Sequence, residues 1–216
     1  MTMPTFSMPH LIGIDVSHWD NSIDWSEVAG AKCGPSDEAI SFVILKATEG
    51  LTGIDPTFGH HWPIVKLRGL VRGAYHFFKP GISGEAQANH FLSYVKFQTG
   101  DLRPILDIET PPNSDPAGFL REVEAAILTI KNKIGIYPFV YSYIPFFNEY
   151  LATSHVVQAC PDWMAEYNSS YKGQNPRKPL IWQFSDAAIV PGVALPGVDM
   201  NVFYGTEADL EAQTLK

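Results

Sequence analysis

The sequence predicts an α/β fold: a compressed, irregular TIM-like β/α barrel of about eight strands with some helices missing. An open doubly wound sheet is the alternative. Three observations carry this expectation. Eight short β-rich runs recur along the chain, and several are apolar on both faces, as parallel strands covered on both sides are. Between them lie helical or loop segments, the alternation that indicates a parallel sheet. Polar side chains collect at one end of every run. Eight strands close a barrel, although 216 residues is at the lower end for that fold.

The first run is "LIGIDV" (11–16), followed by a short, irregular segment. "SFVILKA" (41–47) comes next, then a connection containing "GHHW" (59–62), which should be solvent-facing or packed, and "LVRGAYHF" (70–77). "SGEAQANHFLSYVKFQTG" then opens with Ser83 and a nearby Glu, keeps near-helical apolar spacing and stops at Gly100. The fourth run is "RPILDIE" (103–109). The clearest helix follows, "SDPAGFLREVEAAILTIKNKIG", with a Ser/Asp start, a lysine-rich last turn and Gly135 as stop. "IYPFVYS" (136–142), "DWMAEY" (162–167), "PLIWQF" (179–184) and "GVDMNVF" (197–203) complete the set, with only loops after the sixth and seventh runs.

Composition narrows the function. Hydrophobic residues make up 45% and charged residues 18% of the chain, a globular balance rather than a disordered one. A net charge of −8 without like-charge runs argues against nucleic acid. No apolar stretch is long enough to cross a bilayer, so membrane insertion is not expected. "MTMPTFSMPH" lacks the features of a secretory signal and reads as a leader of unknown role over 1–10, ahead of a single domain over 11–216. Synthesis in the cytoplasm with non-Sec release, or a trimmed signal, is the expectation from that. Cys33 and Cys160 precede the second and sixth runs, on opposite sides of an eight-stranded barrel, so no disulfide between them is expected.

Ligands of parallel α/β folds bind at the C-terminal ends of the strands. Those ends carry Asp15 with Ser17, His18 and Trp19; Lys46 with Thr48 and Glu49; Tyr75 and His76; and Asp107 with Glu109. Tyr141, then Glu166 with Tyr167, then Trp182 with Gln183, and finally Asp199 with Asn201 continue the series. The run starts are mostly apolar. In "PILDIET" the strand period places Asp107 and Glu109 on one face and turns Ile108 away. Two carboxylates so close cannot both ionise freely, so one pKa should rise, as a general acid requires. The simpler alternative is a solvated strand end or an ion pair to Lys46.

An acidic cleft rimmed by Trp and Tyr suits neutral carbohydrate, with paired carboxylates cleaving the glycosidic bond. A metal site on Asp15, His18, His76, Asp107, Glu109 and Asp199 is the rival. The sequence has no HExxH, no His-x-His at a strand end and no Cys cluster, so neither metal nor other cofactor is expected. Serine or cysteine nucleophiles lack a G-x-S-x-G elbow.

Together "GIDVSHWDNSIDW", "FVILKATEG", "GAYHFF", "PILDIE", "WMAEY", "IWQFSD" and "GVDMNVFYG" resemble the glycoside hydrolase family 25 lysozymes, the Chalaropsis-type muramidases. The resemblance runs from Gly13 to Gly205. It implies a flattened, incomplete β/α barrel that hydrolyses the β-1,4 bond between N-acetylmuramic acid and N-acetylglucosamine in peptidoglycan, acting on the cell wall as a monomer. It further implies Glu109 as proton donor, Asp107 as the assisting carboxylate, and Asp15 and Asp199 as the other two acids. Lys46, Glu49, Tyr75, Tyr141, Trp182 and Gln183 fall where the sugar cleft would be lined. The chain departs from the family where Gln-Gly is common after "DVSHW", reading Asp20-Asn21. A non-catalytic glycan-binding module on the same scaffold is the competing function, but it would be marked by a lost acid.

Overall fold

The computed structural model describes residues 6, 9–20, 22–34, 37–172, 178–194 and 197–216. The expected leader over 1–10 lies mostly outside them, as does Asn21. Eight strands close a barrel: β1 (His10–Val16), β2 (Glu38–Glu49), β3 (Val71–Phe77), β4 (Ile105–Asp107), β5 (Phe139–Tyr143), β6 (Asp162–Ala165), β7 (Ile181–Ala188) and β8 (Val198–Tyr204). Each pairs with the next in chain order, and β8 returns to β1. Two short strands, Lys32–Cys33 and Gly53–Ile54, hang on β2.

All eight expected runs form strands, but the sheet is not wholly parallel. β8 runs antiparallel to both β7 and β1. The connection 189–197 is too short for a crossover helix, and a short link permits only a hairpin return. The start of β8 therefore lies on the same rim as the ends of the other strands, and this places Asp199 opposite Asp15.

Strand alternation builds two cores. Phe42, Ile44, Ile105, Phe139, Trp163, Ile181 and Phe203 point inward and fill the barrel, with Leu102 and Leu210 beneath. Their neighbours Val43, Leu45, Leu106, Val140, Met164, Trp182 and Val202 point outward into the outer core. Gly13 faces inward where the Phe42 ring fills the space that a side chain would need.

The helices cover the barrel unevenly. They are α1 (Trp25–Gly30), α2 (Phe58–Leu67), α3 (Gly84–Tyr94) and α4 (Pro116–Ile134). α4 starts and stops as its sequence predicts. Asp115 accepts the Gly118 N–H, Pro116 opens the first turn, and Gly135 closes it with φ of 92°. α3 ends at Tyr94 rather than near Gly100, because Val95 turns extended and the chain dives under the barrel to Asp101. There the Arg72 guanidinium grips the Asp101 carboxylate at 2.8 Å. Past β5 the helical pieces among the described residues are short, at Ile144–Phe146, Phe147–Leu151, His155–Gln158 and, after β8, Glu207–Glu211. Among the described residues no helix follows β6 or separates β7 from β8.

α3 crosses α4 closely at Gly84, whose N–H donates to Glu122 at 2.7 Å. A Cβ there would run into the Glu122 backbone carbonyl. Gly84→Ala is thus expected to cost about 2–3 kcal/mol, since backbone cannot yield as a side chain can. Urea melts would check this, and an unchanged midpoint would show that the helices simply slide apart.

No disulfide joins Cys33 and Cys160, and the Cys160 thiol donates to Val156 O at 3.5 Å. Of the "GHHW" histidines, His61 is buried and accepts the Trp25 indole N–H at 2.8 Å, while His60 is exposed.

Candidate active site

The inward-facing positions change character at the rim. One step of two residues above Gly13 stands Asp15; above Ile44, Lys46; above Ile105, Asp107; above Phe139, Tyr141; and above Ile181, Gln183. On the reversed strand β8 the step runs backward, from Asn201 to Asp199. The result is a cavity of about 290 Å³ lined by Asp15, Asp20, Lys46, Asp107, Glu109 and Asp199, with the rings of Trp19, Tyr75, Phe77, Tyr141 and Trp163. A wider groove of about 870 Å³ opens beside it, sharing Glu109 and Tyr141 and continuing over Tyr143, Asn148, Tyr167 and Lys172.

Asp107 and Glu109 do share one face. The β4 ladder stops at Asp107, but alternation continues, and Ile108 is wholly buried among outer core residues. Neighbouring backbone locks the segment: Phe78 N–H donates to Asp107 O, Ile108 N–H to Tyr141 O, and the Ser142 hydroxyl to Ile108 O at 2.8 Å. Asp107 is 6% exposed. Its Oδ1 has no hydrogen-bond partner among the described residues. Burial, then the Glu109 charge, hold its carboxyl well above the usual range. Glu109 is also raised by burial, with Lys46 opposing.

Asp107 is thus buried rather than solvated, Glu109 is half-buried, and neither is ion-paired to Lys46 among the described residues. That ammonium sits 2.7 Å from Glu49, which also holds Lys79 at 2.7 Å, and both lysines lie over the Phe77 ring. Burial pushes the Glu49 carboxyl up, but the hydrogen bonds from Lys46 and Lys79 prevail and keep it low. Glu49 therefore stands behind Lys46 rather than on the cavity wall.

Across the cavity, Asp15 is 6% exposed and its Oδ2 accepts from Asn201 Nδ2 at 2.7 Å and from Gln183 Nε2 at 2.9 Å. Burial raises its pKa to about 6 despite these donors. Asp199 is raised further, to about 9, by burial first and then by the charges of Asp15, Asp20 and Asp186. The two carboxyls stand opposite each other in the β1–β8 register. Asp20 joins this group, its Oδ2 accepting the Ser17 N–H at 2.7 Å. Burial raises it too.

Of the ten residues expected from sequence, the structure brings Asp15, Lys46, Tyr75, Asp107, Glu109, Tyr141, Gln183 and Asp199 to one cavity. Trp182 is not there. Since Gln183 points inward, its neighbour points out, and Trp182 is 1% exposed among Phe6, Tyr171 and Phe184, donating to Glu166 O at 2.7 Å. The histidines of the metal alternative are separated as well. His76 lies outside the barrel between Thr48 and Gln87, and His18 bonds Asp55 at 2.8 Å. Trp19, Phe77, Tyr167 and Asn201 read from sequence as strand-end residues and Asp20 as a departure from the family, but none was assigned to the cavity, and Trp163 was missed as lining. Asn201 was within reach of the period-two rule applied from Asp199, and Trp163 of the same rule within β6.

Known proteins share this fold. Residues 14–193 match glycosyl hydrolases family 25. The chain is 36% identical over 200 residues to the uncharacterized protein YegX of Escherichia coli K12, covering 93% of this chain and 72% of that one. It is 32% identical over 213 residues to lysozyme M1 of Streptomyces globisporus, covering 93% and 70%. The crystal structure of a lysozyme from Streptomyces coelicolor superposes with a TM-score of 0.84 at 29% identity, covering 94% of this chain and 96% of the other. A match that takes in most of both barrels, with the acids at the strand ends where the cavity opens, places the chain in glycosyl hydrolases family 25.

Proposed function

We propose that this protein is a lysozyme of the N-acetylmuramidase type, hydrolysing the β-1,4 bond between N-acetylmuramic acid and N-acetylglucosamine in peptidoglycan. The observation that carries the reading is the buried Asp107–Glu109 pair on the wall of an aromatic-rimmed cavity. Glu109, the less buried member and the one shared with the wide groove, is the proton donor. As the C1–O bond breaks, its proton passes to the leaving oxygen; water then adds to C1 and gives up a proton that restores Glu109. Asp107 works beside it. Its unpartnered Oδ1 is an acceptor for an acetamido N–H, and such a bond favours its charged form and leaves the shared proton on Glu109. Asp15 and Asp199 form the opposite wall, where negative charge opposes the positive charge that develops at C1.

Support comes from the wall-lytic relatives and from a cavity whose polar groups converge on one face. Mass spectrometry of digested peptidoglycan tests it: new muramic acid reducing ends are expected. Ends on N-acetylglucosamine, or no cleavage at all, would overturn it, the latter in favour of the binding module.

Trp19 is 80% exposed at the mouth of the cavity, its ring tilted by 39° against that of His18. An exposed indole there is a platform for a sugar ring. Trp19→Ala is expected to raise KM about tenfold with kcat little changed, a loss of uniform binding. Initial-rate kinetics on a soluble glycan fragment would show it, and an equal fall in kcat would remove Trp19 from this role.

A further inference from the structure

The amides that hold Asp15 are not free to choose their orientation. An indole N–H can only donate. The Asn201 atom that faces Trp163 Nε1 at 2.7 Å is therefore the carbonyl oxygen. This turns the Asn201 NH2 toward Asp15, and Asp15 Oδ2 must accept it. Gln183 is arranged alike. The hydroxyls of Tyr141 and Tyr167 both donate to its Oε1 at 2.9 Å, and its Nε2 donates to the same oxygen of Asp15. Trp163, Asn201, Gln183 and Tyr141 are all nine-tenths or more buried, so water cannot readily substitute for any of these bonds.

An oxygen accepting two N–H bonds has little room for a proton of its own. Asp15 and Asp199 are partners in the β1–β8 register and the charge of each disfavours charge on the other, so a proton held between them has two possible homes. We propose that the Trp163 indole, acting through the Asn201 amide, decides which carboxyl holds that proton: Asp199 carries it and Asp15 remains the anion. Trp163 and Asn201 are then positioning residues, and a tryptophan inside the barrel sets the charge pattern of the cavity wall.

The titratable groups around Asp15 bear on this assignment. They are Asp199 on β8, Asp20 beyond β1, Asp107 on β4, and the hydroxyls of Tyr75, Tyr141 and Tyr167. Lys46 shares the cavity but sits on Glu49. With three carboxyls nearby and no cation bonded to it, Asp15 depends on its amide donors to stay charged. The higher pKa of Asp199, about 9 against about 6 for Asp15, agrees with the placement. The bearing on wall cleavage rests on the muramidase reading, but the proton placement does not.

The test is a carbon-13 NMR titration of the aspartate carboxyls in the intact chain, with Asp15→Asn and Asp199→Asn supplying the assignments. In the wild type, Asp15 should ionise at lower pH than Asp199. In Trp163→Phe, with Asn201 free to turn, the Asp15 midpoint should rise by about one pH unit, and Asn201→Leu should raise it at least as far. The Asp199 midpoint should fall as its neighbour loses charge, and the acid limb of wall clearing should move with Asp15. Unmoved midpoints in folded variants would overturn the proposal, even with lowered activity, since packing loss alone predicts that result. Asp199 ionising first in the wild type would overturn it without any variant. A wild type that titrates as expected but clears no wall would instead defeat the muramidase reading.

Discussion

Glu109→Gln is expected to lower the clearing of a peptidoglycan suspension by roughly a thousandfold, within the range that a positioned general acid contributes. Glutamine keeps the shape of the side chain but has no proton to give the leaving oxygen. Nothing else in the fold depends on that carboxylate: no side chain is ion-paired to it among the described residues, and its pKa is raised because burial disfavours its charge. The melting temperature should accordingly hold or rise slightly. Asp107→Asn should also slow the reaction substantially, though through the position of the proton and the substrate rather than the loss of the donor. Turbidity assays with thermal melts on both variants separate chemistry from folding. Clearing by Glu109→Gln at the wild-type rate would move the acid to Asp107, the more deeply buried of the pair.

From about pH 6.5 upward stability should fall as pH rises, the reverse of acid denaturation; below that pH, His76, whose burial lowers its pKa to about 4, acts in the opposite sense. Asp15, Asp107 and Asp199 all have folded-state pKa values above the ordinary carboxylate value of 3.8. Between about pH 4 and the folded values, the native state therefore binds more protons at these carboxyls than the unfolded chain does, and through them each unit of pH lowers the unfolding free energy. For Asp15 the window closes near pH 6 and for Asp199 near pH 9. Asp199→Asn removes its share, so it should stabilise the protein by about 2 kcal/mol at pH 8, or roughly 5 °C in melting temperature. The same substitution should do much less at pH 4, where the folded state holds the proton and the unfolded chain is near its midpoint. Melts across that range check the sign directly. A gain at pH 4 as large as at pH 8 would mean that the asparagine improves packing rather than relieving a buried charge. Acids that destabilise the fold near neutrality are the mark of a site kept for chemistry.

Much of this was legible along the chain because strand periodicity is a local property. Eight runs were readable as eight strands, and Asp107 and Glu109 share a face because residues two apart must. The α4 boundaries followed from Asp115, Pro116 and Gly135, whose effects on the backbone need no partner. Other features were not local. Trp182 reads as a rim aromatic until its strand is oriented, and then Gln183 takes the inside and Trp182 the outer core. Glu49 looked like a cavity residue, but Lys46 and Lys79 hold it behind the wall. α3 looked long enough to reach Gly100, but the run after Tyr94 is drawn beneath the barrel, where Asp101 meets Arg72.

By itself the amino-acid order determined the strand count, the inward and outward faces, the acid pair and the family motifs, all set by spacing within a few residues. The tertiary structure alone decided the direction of β8, since a short link and the need to close the sheet turned it around. That reversal brings Asp199 against Asp15 and stands Asn201 one step below, between Trp163 and Asp15. Which carboxyl keeps a proton depends on donors that lie far apart in the chain and meet only when the barrel closes.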